Sequence, residues 1–216
     1  MEAPKHYIEA KVLPLDGAAP SGGDVAYILS RIMWAVHMHI VEGHQIGITF
    51  PQLDPASSKE GEDKFFLGSR MRLFGTANSL SSLIIRQDFA GLVHGGALTI
   101  KGSGIQDVPA EHGWISFCRD RRTEQNTPAF VERSTQRLLN RSAEGKCKIT
   151  QTEIKDRRLK LLSRKEGALP PYINVGSGST RRKFRHFLSV QKASGFGDGS
   201  ITTYGMCKPG TAMPSF

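Results

Sequence analysis

The chain has 216 residues, enough for one large domain or two small ones with a real core. Hydrophobic residues make up 38 %, which excludes a disordered chain, and no apolar run approaches the roughly 18–20 residues of a membrane span. Lys and Arg number 29 against 20 Asp and Glu, a net charge of +9, and residues 119–185 alone carry a net of +11. A positive excess confined to one stretch is the footprint of a phosphate-backbone partner. The stretch lacks the Trp/Phe/Leu-rich opposite face of a membrane-surface helix. Cys118, Cys147 and Cys207 are odd in number and widely spaced, which argues against a zinc knuckle or a disulfide framework. The opening MEAPKHYIEAKV has no charged-then-apolar signal pattern, so a cytoplasmic protein is expected.

Taken in order, Tyr7–Leu13 alternates and reads as a strand. Asp24 can cap a helix running to about Glu42, with Val25, Leu29, Ile32, Met33, Val36 and Ile40 on one stripe. Gly43 ends it, and Ile46–Phe50 is a short strand stopped by Pro51. Lys64–Phe74 predicts one bent strand or two short ones. Asn78 can cap a helix through about Asp88, and Ala97–Lys101 is a further strand. The order β-α-β-β-α-β predicts a ferredoxin-like, RRM-like domain over residues 1–105, a frame that many RNA-binding modules use.

The second half, residues 106–216, reads as a basic domain with an arginine-bearing helix, so the fold class expected is α+β. Trp114–Arg119 is a strand. Thr127-Pro128 starts a helix to about Ser142, with Arg133, Arg137 and Arg141 on one face and Phe130, Ser134 and Leu138 on another. A charged helix over Glu153–Arg164 ends before Pro170-Pro171. A glycine-serine turn follows, then strands near Lys183–Gln191 and Ile201–Cys207.

Four blocks carry a family resemblance: HYIEAKVLPLD, IGITFPQLD, PPYINVGSGSTRRKFRHF and TTYGMCKPGTAMPSF. In this order and spacing they resemble the CRISPR-associated endoribonucleases of the type I-F (Ypest) subtype, which cut the repeat hairpins of precursor CRISPR RNA. The resemblance implies a catalytic histidine on the first helix. His37 fills that place, with His39 the competitor. On a helical wheel His37 lies about 95° from the centre of the apolar stripe and His39 about 60° on the other side. The resemblance also implies an active-site serine at Ser177, with Ser179 its neighbour, and a tyrosine beside the histidine at Tyr204.

For RNA binding the resemblance implies two linker residues that read base edges, Arg119 and Arg121. The family pattern has glutamine at the second, so a different base is expected to be read there. Arg133, Gln136, Arg137, Asn140 and Arg141 correspond to the helix that enters the stem's groove, with Gln136 and Asn140 where arginines are common. Phe184 takes the place of an aromatic that stacks on the base pair next to the cut.

The chemistry implied is attack of the RNA's own 2′-hydroxyl, with a histidine moving the proton, giving a 2′,3′-cyclic phosphate and a 5′-hydroxyl without metal. No cofactor is expected: there is no Walker loop, and the glycines of GFGDGS open no helix. Expected partners are the CRISPR repeat stem-loop, held after cleavage, and subunits of a crRNA-guided surveillance complex. The alternative is a non-catalytic hairpin-binding subunit of a ribonucleoprotein.

Overall fold

A computed structural model of the protein describes residues 2–14, 22–53, 67–102, 104–121, 123, 127–162, 171–176 and 183–216. The fold is mixed α+β, with two antiparallel sheets and five helices among the described residues. These residues fall into two compact units, Met1–Arg119 with Pro171–Phe216, and Asp120–Pro170. That grouping differs from a division near residue 105: the chain leaves the larger unit at Arg119 and re-enters it at Pro171. No described helix is long and apolar enough to cross a membrane.

In the larger unit, β1 (His6–Val12), β2 (Gly47–Thr49), β3 (Arg70–Gly75) and β4 (Leu98–Ile100) form a sheet in the order β2-β3-β1-β4. The two-residue β5 (Gln106–Asp107) also pairs with β1. The second sheet follows the order β7-β8-β6-β9, from β6 (Gly113–Arg119), β7 (Tyr172–Gly176), β8 (Lys183–Ala193) and β9 (Met213–Ser215). Helix α1 (Gly22–Val41) packs on β1 and on β7, and so touches both sheets. This is why its buried face is wider than the expected stripe: Ile28, Ala35 and His39 join Val25, Leu29, Ile32, Met33 and Val36 in the interior. One core runs through Ile8, Ala10 and Val12 of β1, the α1 face, Phe117, Ile173, Val175 and Leu188.

Four local expectations are corrected. Asp24 lies in the first turn of α1, which begins at Gly22, so it is not the cap. The cap of α2 (Ala77–Ile85) is Thr76, whose Oγ1 accepts the Ser79 N–H at 3.1 Å, not Asn78. That helix stops at Arg86, which is extended, and α3 (Gln87–His94) follows where one longer helix was expected. Arg86 holds the bend by pairing with Glu42 and, at 3.0 Å, with Asp88, while Asp88 accepts the Phe89 N–H. The strand expected over Ile201–Cys207 is a turn closed by an isolated bridge between Ile201 and Cys207, and the last strand is β9. Part of the strand predicted from Lys64 lies outside the described residues, as does the glycine-serine turn GSGST after its first glycine.

The outer face of β1 buries a charge. Glu9 is 2 % exposed and faces Arg72 at 2.9 Å, Arg70 at 3.4 Å and Lys101 at 3.6 Å. Arg72 also donates to the main-chain oxygen of Phe216 and lies 4.1 Å from that ring, which meets Tyr7 edge-on at 4.9 Å. The carboxylate is tolerated there because three cations and good geometry offset its desolvation. Arg72 is its least exposed partner, so Arg72→Met should destabilise the fold by about 3 kcal/mol, less what Arg70 and Lys101 recover. Chemical denaturation checks this; an unchanged midpoint would show that the buried pair is not holding the C-terminal segment.

The smaller unit is a helical hairpin of α4 (Pro128–Ala143) and α5 (Gln151–Leu162). Thr127 caps α4 through the Phe130 N–H, with Pro128 at the first position. Thr150 and Glu153 form a reciprocal capping box on α5, which begins two residues before the expected Glu153. Val131, Thr135 and Ile154 are buried, and Arg158 pairs with Glu132 at 2.9 Å across the hairpin.

Candidate active site and nucleic-acid interface

The two histidines of α1 differ as their positions on the helix suggest. His39 is 1 % exposed; its Nε2–H donates to the Ser79 carbonyl at 2.9 Å, and its ring stacks on His44 with centroids 3.9 Å apart. Burial lowers its pKa below 6.5, with the bond to Ser79 opposing and the charges of His44 and Arg86 adding to the shift. His37 is half-buried on the flank of the helix. Its Nδ1 lies 3.0 Å from the Thr203 carbonyl, which can only accept, so Nδ1 carries the hydrogen. In the neutral ring Nε2 is then left with a lone pair, the form a general base needs.

The Tyr204 ring lies over a face of that imidazole. The rings stack at 4.3 Å with 10° between their planes. A tight turn sets this geometry. Thr202 Oγ1 accepts the Tyr204 N–H at 3.3 Å and the Met206 N–H at 3.2 Å, and the Thr202 carbonyl accepts the Gly205 N–H at 3.0 Å. The Gly205 carbonyl accepts the Ile48 N–H at 2.9 Å, which fastens the turn to β2. Gly205 has φ 74°, and a Cβ there would lie 2.7 Å from the Ile46 carbonyl oxygen and 2.9 Å from Ile48. Only glycine fits. The same turn therefore supplies both the carbonyl and the phenol ring that hold His37. Burial raises the Tyr204 hydroxyl's pKa above that of an ordinary phenol, against the opposing charge of Arg119, so it stays protonated near neutrality.

Sequence reasoning missed His186. It is 1 % exposed on β8, with its ring 4.8 Å from Tyr204 at 75° and 4.9 Å from Phe184. The signal available was its alternation with Phe184 and Leu188, which puts the three on one face of a strand.

Of the other expected site residues, Arg119 ends β6, where it pairs with Leu188 of β8. Phe184 is half-buried on β8, opposite Val175. Ser177 and its neighbour Ser179 lie outside the described residues. In the smaller unit Arg121 is exposed, and Arg133, Gln136, Arg137, Asn140 and Arg141 are all exposed along one side of α4. Gln136 Nε2 donates to Asn140 Oδ1 at 2.9 Å, so these two amides engage one another. The opposite side of α4 is the buried Val131 and Thr135, and Phe130, Ser134 and Leu138 line a half-buried stripe between the two. Among the described residues no group of three His, Cys, Asp or Glu is placed to hold a metal ion.

The larger unit thus holds a histidine-tyrosine stack, and the smaller unit is a helical hairpin with arginines exposed along one side of α4. Comparison with known sequences gives the family: the profile of the CRISPR-associated protein family Cas_Csy4 matches residues 7–216, and the chain belongs to that family. It is also 26 % identical over 211 residues to the CRISPR-associated endonuclease Cas6/Csy4 of Pseudomonas aeruginosa (strain UCBPP-PA14), covering 95 % of this chain and 96 % of that one.

The His39 environment makes a pH prediction. Its folded pKa is below the unfolded value of 6.5, so the unfolded chain binds the proton first as pH falls. Its contribution to stability is complete above 6.5 and is lost as pH falls through that value toward the folded pKa. His39→Gln should flatten this part of the stability–pH curve, measured by denaturant unfolding between pH 7.5 and 5 at roughly half-unit steps. Equal slopes in both proteins would place the titration elsewhere.

Proposed function

We propose that this protein is an endoribonuclease that cuts the stem-loop of CRISPR repeat transcripts by metal-independent attack of the 2′-hydroxyl, and then keeps the product. The observation that carries the reading is the His37 ring, stacked on Tyr204 with Nδ1 held by the Thr203 carbonyl. It leaves a base-competent Nε2 on the half-buried flank of α1. The relative's endonuclease name and the family membership agree with it.

In this reading His37 takes the proton of the 2′-hydroxyl, which then attacks the neighbouring phosphorus. The P–O5′ bond breaks and the departing 5′-oxygen takes a proton from water, leaving a 2′,3′-cyclic phosphate on one fragment and a 5′-hydroxyl on the other. Ser177 orients the nucleophile. Tyr204 fixes the imidazole plane. Phe184 stacks on the base pair next to the cut. Arg119 and Arg121 read base edges, and Arg133, Arg137 and Arg141 bind stem phosphates with Gln136 and Asn140 between them. These contacts are to the stem, so the cut hairpin stays bound and can join an RNA-guided complex with other subunits. The frame is a ferredoxin-like sheet: the strand order β2-β3-β1-β4 with antiparallel neighbours supports this. Catalysis then belongs to the larger unit and the stem grip to the smaller one.

A repeat hairpin with a single 2′-deoxyribose at the cut site tests the chemistry. In excess EDTA the all-RNA hairpin should be cut to a cyclic phosphate and a 5′-hydroxyl, while the deoxy hairpin binds equally and stays whole. Cutting of the deoxy substrate, or a need for added divalent ion, would sink the mechanism; binding without any cutting would make the protein a hairpin-binding subunit.

A further inference from the structure

We propose that His186 is a positioning residue for RNA cleavage, which locks the Tyr204 ring that in turn orients His37. This rests on the nuclease reading above. His186 is 1 % exposed, so it does not touch RNA and acts only through its neighbours. Among those neighbours are the two aromatic rings assigned to the reaction. Its imidazole meets Tyr204 at 4.8 Å and 75°, and Phe184 at 4.9 Å and 49°.

The backbone explains why one side chain reaches both. Arg185 and Phe187 turn to the other face of β8, where the Arg185 guanidinium is 4.7 Å from the Tyr172 ring and Phe187 is 5.7 Å from it. Phe184, His186 and Leu188 share the face that packs on the core. The turn carrying Tyr204 approaches that face from β2. The phenol thus has one face against His37 and meets the His186 ring at a steep angle. A stacked pair alone can slide, because offset geometries differ little in energy. A third ring at a steep angle to the phenol removes that freedom. Because the same imidazole touches Phe184, the base-stacking ring and the catalytic stack are held in one register.

The test uses the full chain, the repeat hairpin, and His186→Ala, His186→Phe and His186→Leu. Phe keeps an aromatic edge; Leu fills similar space without one. His186→Ala should lower the single-turnover cleavage rate at least about tenfold, as small misplacements of a catalytic group do, with hairpin affinity unchanged. The carbon-bound ring protons of His37, shielded by the Tyr204 face, should move downfield in the NMR spectrum to their positions in Tyr204→Leu. His186→Phe should restore both readouts and His186→Leu neither. Full rate and unshifted His37 protons in His186→Ala would overturn the proposal, as would rescue by Leu equal to that by Phe. If His186→Ala does not fold, the Phe and Leu pair decides alone. If wild type binds but does not cut, the nuclease reading falls, while the His37 shifts still decide whether His186 holds the stack.

Discussion

No side chain fits at position 205. The turn from Thr202 to Met206 lies against α1 and β2 so closely that a methyl group on Gly205 would enter the Ile46 carbonyl. That contact fixes the height of the turn, and with it the Thr203 carbonyl and the Tyr204 ring. Both grip the same imidazole, one through Nδ1 and one through its face. The tautomer and the plane of His37 are therefore set by backbone packing. Thr202 completes the turn from within, its hydroxyl accepting two of the turn's own N–H groups.

Around this point the fold divides its labour between burial and exposure. Helix α1 is wedged between two sheets, which buries His39 and keeps it neutral, while His37, two residues earlier, remains at the rim. The second sheet brings β8 to the same place and adds Phe184 and His186. The smaller unit is built differently. The α4–α5 hairpin has a small interior of Val131, Thr135 and Ile154, and it leaves three arginines and two amides exposed along one side of a capped helix. A phosphate backbone binds through such charges with little need for depth.

Much of this was legible in the sequence, for reasons that differ by element. The α1 stripe and the alternation in β1 follow from periodicity, and the flank position of His37 follows from the wheel. The Thr127-Pro128 start carried its own chemistry. The break at Arg86 was not legible, because it depends on ion pairs with Glu42 and Asp88 rather than on Gly or Pro. Nor was β7: YINV is short, and its partner β8 lies across the serine-bearing segment. The β-branched run ITTYGMC suggested a strand, but Gly205 and the Thr202 hydroxyl make it a turn. His186 was passed over because a histidine inside a strand has no motif to announce it; only the assembled rings show its place.

The decisive comparison is between the two histidines of α1. Single-turnover cleavage of the repeat hairpin should be measured for wild type, His37→Ala and His39→Gln, with binding followed in parallel. Loss of cleavage in His37→Ala at unchanged affinity, with cleavage retained in His39→Gln, is the predicted result. Cleavage by His37→Ala at the wild-type rate would contradict it, and would move the proton transfer away from the ring that Gly205 and its turn hold in place.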